Sequence, residues 1–308
     1  MWWYIGLASI PASLYALGNH IDKYLVEKYF KGGDIGSLVL FSSLIGIPVA
    51  LVIATFAPNV LNIPAWSAFM LIANGIIFLL SIIPYFYALG YDETSVVSPL
   101  YQMTPVFAAV FGYVVLGEVL TLGQIVGGLL IMGGAIFLAL EFEEKIRLKR
   151  KTFLLMLLTS ILTALNVLIF KWIALEETFW VSAFWEYVGF IVFGVGVFFF
   201  HKTFRTQFLT VLKKNTAPVL LLNVFNELIV IAAKTTLHFA TLFVPISMML
   251  WLSEGLQPFF VLVFGILITL FFPHIADEKI TKRHLIHKIS ALIVMFLGIY
   301  FLSGGFSL

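Results

Sequence analysis

Apolar segments long enough to cross a lipid bilayer follow one another along almost the whole chain. Ten can be delimited, at approximately 2–20, 36–57, 65–87, 94–116, 121–140, 152–172, 179–200, 217–240, 244–272 and 286–303. Each has about the ~20 residues that a helix needs to span the hydrocarbon core. The expectation is therefore an all-α polytopic membrane protein of about ten transmembrane helices. Only 11% of the residues are charged, less than half of the ~25% usual in a soluble domain. The connections are too short for a separate soluble domain, and no GxxxxGK[ST] phosphate loop is present to power an ATP-driven pump. The formal net charge of +2 is too small to suggest nucleic acid. With no cysteine, disulfides and thiol chemistry are excluded. No signal-peptide pattern precedes the first apolar run.

The two halves resemble each other. Leu14-Tyr-Ala-Leu17 with Lys23 is matched by Leu162-Thr-Ala-Leu165 with Lys171 at a constant offset of 148. Pro105, Phe107, Phe111 and Gly112 are matched by Pro258, Phe260, Phe264 and Gly265 at 153, and Gly134–Leu138 by Gly298–Leu302 at 164. Three matches in order predict two five-helix units, 1–144 and 145–308. Five is odd, so the second unit enters the bilayer from the opposite side, giving an inverted repeat. The charges fit this count. Sixteen of the 18 Lys and Arg residues fall in loops on one side. The positive-inside rule makes that side cytoplasmic and places both termini outside.

Ionisable side chains within lipid are costly and normally face a partner or a wet cavity. Asn223, Glu227, Lys234 and His238 recur at spacings of 4, 7 and 4, on one face of the eighth segment. They are the first candidates for substrate binding or coupling, and a static polar network is the bland alternative. Glu186 and Glu254 are two further deep acids, either of which suits a coupling proton. By the repeat, Glu254 corresponds to the neighbourhood of Tyr101-Gln102. Asn19 and His20 lie deep in the first segment, whereas Asp22-Lys23 reads as a headgroup-level pair. Pro105 and Pro258, matched between the halves, are candidates for helix bends that take part in gating. Tyr15, Trp66, Tyr85, Tyr87, Tyr101, Trp185 and Trp251 are the aromatics that could stack on an organic solute. Glu118 reads as a structural cap on the fifth helix. Gly127, Gly128, Gly133 and Gly134 permit close helix contact in that segment. His274, His284 and His287 form a loop cluster in a basic neighbourhood. No metal or other cofactor is expected.

The stretch Ala88–Leu140 carries Ser98-Pro99, Thr104-Pro105, Gly112, Leu116-Gly-Glu118, Leu120-Thr121 and then the glycine-rich segment. In this it resembles the EamA family of the drug/metabolite transporter superfamily. The second half is similar in layout, but it has Phe271-Phe-Pro-His274 and Asp277-Glu-Lys-Ile-Thr281 where a Gly-Glu turn is expected. There, Glu278 and Thr281 stand as candidates for the roles of Glu118 and Thr121. The resemblance implies a ten-helix carrier of two inverted units around a central cavity. It also implies small organic solutes and frequent ion coupling. Many such carriers keep both termini in the cytoplasm, contrary to the charge count here.

The function expected is secondary transport of small polar organic metabolites, amino-acid-like or related, with protons as the candidate coupling ion. A lipid or lipid-linked solute flippase and a non-transporting scaffold are the alternatives. A membrane enzyme is disfavoured, because the loops hold few clustered acid–base groups. The expected partners are a small-molecule solute, the lipid bilayer and, as an assembly, a homodimer. The expected location is a prokaryotic plasma (inner) membrane.

Overall fold

The computed structural model describes residues 3–28, 35–57, 59–91, 97, 100–139, 149–214, 217–271 and 282–304. Among them are twelve α-helices, one 3-10 turn and no strand. In chain order they are α1 (Trp3–Lys28), α2 (Ile35–Leu44), α3 (Gly46–Phe56), α4 (Ala65–Tyr91), the 3-10 turn Tyr101–Met103, and α5 (Thr104–Leu116). There follow α6 (Leu122–Ala139), α7 (Arg150–Glu176), α8 (Phe179–Phe200), α9 (Lys202–Lys214), α10 (Ala217–Thr241), α11 (Ile246–Phe271) and α12 (Lys282–Leu302). Among the described residues, six helical spans are long and apolar enough to cross a membrane: 35–56, 65–88, 150–176, 179–200, 219–241 and 246–268. The apolar helices within 101–116, 122–138 and 286–302 are shorter. Many Leu, Val and Phe side chains stay exposed along these helices, including Val114, Phe199 and Leu221. An apolar exterior of this kind matches a lipid environment.

Proline and glycine shape the helices locally. The second apolar segment is divided between α2 and α3 at Ile45. Pro48, three residues on, has no N–H to give to Leu44 four residues before it. Pro105 sits in the first turn of α5, where a missing N–H costs nothing. It therefore begins that helix rather than bending its interior, as the sequence suggested. Pro258, by contrast, lies inside α11. Gly117 ends α5 with φ +66°, a left-handed conformation open to glycine. Thr121 and Gln124 then form a reciprocal cap on α6. Gln124 N donates to Thr121 Oγ1 at 3.2 Å, and Thr121 N donates to Gln124 Oε1 at 2.9 Å. The capping group of that helix is thus Thr121, not Glu118.

The stretch 201–216, which reads as a loop, is largely helical. In α9, Phe204, Phe208 and Val211 are buried while Lys202, Lys213 and Lys214 are exposed. Spacings of 4 and 3 make one apolar stripe. That stripe joins Leu38, Leu40 and Phe41 of α2 and Leu25 of α1 in one core cluster. Gly36 N donates to Gln207 Oε1 at 3.0 Å, fixing α9 to the start of α2.

Helices from the two halves are interleaved. α1 packs on α10 and α11, while α7 packs on α4 and α5. α6 pairs with α12. A side chain on Gly127 would strike the backbone of Gly298 and Leu302, and one on Gly298 would strike that of Gly127. Gly134 and Gly128 lie close against Met295 and Trp251, whereas Gly133 faces open space. Three of the four glycines thus serve close packing.

The ends of the helices divide into two faces. Tyr4 Oη donates to Ser303 O at 3.4 Å, and the Trp3 ring meets Phe243 at 5.5 Å. Both described ends of the chain therefore share a face with the turn between α10 and α11. On the basic face, Lys151 Nζ donates to Tyr91 Oη at 2.5 Å, joining the end of α4 to the start of α7.

Candidate functional site

Glu186 of α8 is the centre of a sealed polar network. Its residue is 1% exposed. Asn74 Nδ2 of α4 and Asn166 Nδ2 of α7 donate to its Oε1 at 2.8 and 2.9 Å. Lys234 Nζ of α10 donates to its Oε2. His238 Nδ1 is 3.5 Å from the same oxygen. The Lys234 ammonium lies 4.9 Å from the centre of the Phe78 ring, 5.5 Å from Phe190 and 5.7 Å from Tyr187. Within ~6 Å a ring face attracts a cation. His238 is in turn packed on Phe170, with ring centres 4.1 Å apart. A buried charge is tolerable when it is paired and hydrogen-bonded, and the Glu186 carboxylate is paired with Lys234 and accepts hydrogen bonds on both oxygens. Four helices are tied together at this buried site.

Beside this network α1 presents Tyr15, Asn19 and Asp22 at spacings of 4 and 3, all partly accessible. Asp22 Oδ1 accepts from Asn226 Nδ2 of α10 at 2.6 Å. Glu227 accepts from Ser42 Oγ of α2 at 2.7 Å. Tyr101 of the 3-10 turn stacks obliquely on Tyr85 of α4, with ring centres 5.2 Å apart. Glu254, Tyr15 and Asp22 lie in the neighbourhood of Tyr101 as well. These partly accessible polar groups at mid-helix, on four helices and a turn, are taken together as the chamber.

Pro258 shapes one wall of that chamber. It has no N–H for the carbonyl of Glu254, four residues earlier. Gln102 Nε2 takes up that carbonyl at 3.2 Å. Glu254 Oε2 and Gln102 Oε1 are both buried without a hydrogen-bond partner. Close by, His20 Nε2 lies 3.1 Å from Val261 O, linking α1 to α11 below the proline.

A third polar cluster lies towards the face that carries the chain ends. Lys171 Nζ of α7 donates to Glu118 Oε1 at 2.6 Å and to Val244 O at 2.8 Å. Glu118 Oε2 accepts from Ile246 N, the first residue of α11, at 2.9 Å. Glu118 thus caps α11, where a carboxylate meets both free N–H groups and the positive end of the helix dipole.

Residues 2–140 match the profile of the EamA-like transporter family. Over these residues the chain is similar to that family. The match covers every segment of the first predicted unit, and it includes Tyr15, Asp22, Tyr85, Tyr101, Gln102 and Glu118. A solved structure, described only as a crystal structure of a protein, superposes with a TM-score of 0.66 at 13% identity. The superposition covers 97% of this chain and 95% of the other, a likeness of fold along the full length. No curated protein matches the chain.

The polar stripe read on the eighth segment divides between two environments. Lys234 and His238 belong to the sealed network, held by Glu186 rather than by Glu227. Glu227 belongs to the chamber. Asn223, one turn before it, is buried with Nδ2 unpartnered. Asn19, His20 and Glu254 lie at the chamber walls, and Glu186 lies outside them. Of the aromatics singled out, Tyr15, Tyr85 and Tyr101 meet the chamber. Trp66 and Tyr87 are exposed, Trp251 is buried on Gly128, and Trp185 Nε1 donates to Val60 O at 2.7 Å.

Sequence reasoning missed Asn74, Asn166 and Ser42. It took Asp22 for a headgroup residue and left Lys171 without a partner. Amides inside apolar helices were the available signal for the two asparagines, since such groups need partners there. Ser98, Pro99, His274, Glu278, Thr281 and the side chains of Lys23 and His284 lie outside the described residues. His287 is packed edge-on against Phe137, with ring centres 4.3 Å apart. No metal-holding group of three or more His, Asp or Glu occurs among the described residues.

Proposed function

We propose that this EamA-like protein is a secondary transporter that carries a small polar organic solute through the chamber by alternating access. On this reading it has ten membrane crossings: α1, α2 with α3, α4, the 3-10 turn with α5, α6, α7, α8, α10, α11 and α12. They form two inverted units, 1–144 and 145–308. The interleaving of α1 with α10 and α11, and of α7 with α4 and α5, is what a two-fold relation between such units predicts. So is the meeting of Gln102 with Glu254, near-equivalent positions of the repeat that face each other.

The observation that carries the transport reading is a difference between two equivalent helix contacts. α4 and α8 touch backbone to backbone. A side chain on Gly75 would strike Glu186 O and come within 3.0 Å of the Cα of Gly189. In the other unit the counterparts are α10 and α2. Glu227 occupies in α10 the place that Gly75 occupies in α4, ten residues after the first residue. There the described hydrogen bond is between side chains, from Ser42 Oγ to Glu227 Oε1. One seam is shut at the backbone while its counterpart is spanned by polar side chains, as expected when a chamber is sealed from one side at a time. Solute or proton binding drives exchange only by favouring one of the two states. Glu227 and Glu254 are the proposed coupling acids, and the basic face is cytoplasmic, so both termini lie outside a prokaryotic inner membrane.

The cysteine-free sequence supplies its own background for the test. A single Asn19→Cys substitution, reconstituted in liposomes of defined orientation, is treated with an impermeant maleimide from either side. Labelling from both sides is expected, with the ratio shifted by Gly75→Ala, which wedges the closed seam. Reaction from one side only, unaltered by the wedge, would refute alternating access. Reaction from neither side would favour a scaffold.

A further inference from the structure

The two carboxylate environments of the bundle are filled differently. Glu186 has its cation built in: an ammonium, a second donor pair and a surround of Phe78, Tyr187 and Phe190 rings. The chamber repeats the carboxylates and the rings without the ammonium. Asp22, Glu227 and Glu254 lie on its walls with Tyr15, Tyr85 and Tyr101. Among the described residues, the two buried lysines are committed elsewhere, Lys171 to Glu118 and Lys234 to Glu186. His20 is engaged with Val261 O.

Two further facts point to what is wanted there. Gln102 is only 4% exposed. Its amide nitrogen is fixed on Glu254 O, which settles the orientation of the amide and leaves Oε1 as a pure acceptor without a donor. Glu254 Oε2, on the residue whose carbonyl it holds, is a second acceptor without a donor. Buried acceptors in lipid-embedded protein are normally satisfied. Two unpartnered acceptors, on residues joined by the bond from Gln102 to the Glu254 carbonyl, call for a ligand that brings N–H groups. Neighbouring carboxylates call for positive charge. Tyrosine faces call for a cation or a flat apolar body.

We propose that the chamber binds a small protonated organic amine, with its ammonium seated at Glu254 and Gln102 and its body against Tyr15, Tyr85 and Tyr101. The proposal rests on the transport reading for its site and adds the charge class of the solute. The arrangement would reproduce, with an exchangeable cation, the setting that Lys234 occupies permanently beside Glu186. Asp22 and Glu227, at the α10 side, extend the negative wall along the path of the amine. A solute anion would meet three carboxylates there and no described cation free to receive it.

The test is thermal unfolding of the purified protein in lipid nanodiscs with four probes: benzylammonium, tetraethylammonium, benzoate and benzyl alcohol. Benzylammonium is expected to raise the midpoint for wild type, with an apparent affinity weaker by about tenfold or more in Glu254→Gln. Glu254→Asp should keep part of the effect, because the charge remains. Tetraethylammonium, which has no N–H, should stabilise less. Benzoate and benzyl alcohol should leave the midpoint unchanged. Equal stabilisation by tetraethylammonium would overturn the hydrogen-bonded amine in favour of a bare cation. Stabilisation by benzoate that Glu254→Gln alters would overturn the charge class while keeping the chamber as a solute site. No response to any probe would overturn the amine site, and the two-sided labelling of Asn19→Cys would then decide separately whether the transport reading survives.

Discussion

Glu186 and Glu254 are both acids placed mid-helix in the bundle, yet the fold treats them in opposite ways. Every oxygen of Glu186 is occupied by a donor from a different helix, and the result is a rivet between α4, α7, α8 and α10. Glu254 keeps one oxygen unpartnered, and so does Gln102, the amide that holds its carbonyl. The lesson is that the cost of burying a charge identifies where a protein has committed it. An acid whose compensation is complete is structural. An acid whose compensation is missing is held ready for something that arrives.

The comparison can be broken most forcefully at Lys234. Lys234→Ala would leave Glu186 buried without its cation, at a cost of about 3–5 kcal/mol. A chemical-denaturation series in detergent should show it, and the double substitution Glu186→Gln with Lys234→Met should be more stable than Lys234→Ala alone. If the single substitution is as stable as wild type, the rivet is not what holds these helices.

Glu118→Gln removes the charge that joins Lys171 to the first turn of α11. A loss of about 1.5–3 kcal/mol is expected for charge-assisted bonds, read in the same series. A value matching that of Lys234→Ala would erase the distinction between a deep network and one near the face. Gly75→Ala should cost about 1–3 kcal/mol, because the new methyl meets backbone that cannot move aside cheaply. Its counterpart Glu227→Ala, at a seam without that backbone contact, should cost less.

Thr121→Ala deletes half of the cap on α6, and about 1 kcal/mol should be lost. Smallest of all, Glu254→Gln should change stability by less than about 1 kcal/mol, since it deletes no existing bond. Its effect should instead appear in the response to benzylammonium. A large stability loss there would show that Glu254 already has a structural partner.

Much of this protein was legible residue by residue. The length of the apolar runs announced helices in lipid. Three of the four glycines of the fifth segment did pack closely, and the stripe Asn223–Glu227–Lys234–His238 lies on a single helix. The helix of 202–214 was missed, because its charged residues masked an apolar stripe only three residues deep. Pairing was harder to read. Asp22 looked like half of a pair with its neighbour, but Asn226 holds it from another helix. Lys234 and Glu227 share a helix, and nothing in their spacing says that Lys234 bonds Glu186 of α8. Glu118 lies one turn before α6, the natural helix for it to cap, but it serves α11 instead.

The sequence by itself determined the environment of this chain, the order of its helices and the scarcity of its buried charges. These follow from local hydropathy, proline and glycine, each of which acts within a few residues. Only the tertiary structure decided which charge meets which. Partners such as Asn74 and Glu186, or Gln102 and Glu254, are more than a hundred residues apart, brought within about 3 Å by the crossing of helices from both halves. A buried ion takes whatever donor packing delivers, and one-dimensional spacing carries no record of that delivery.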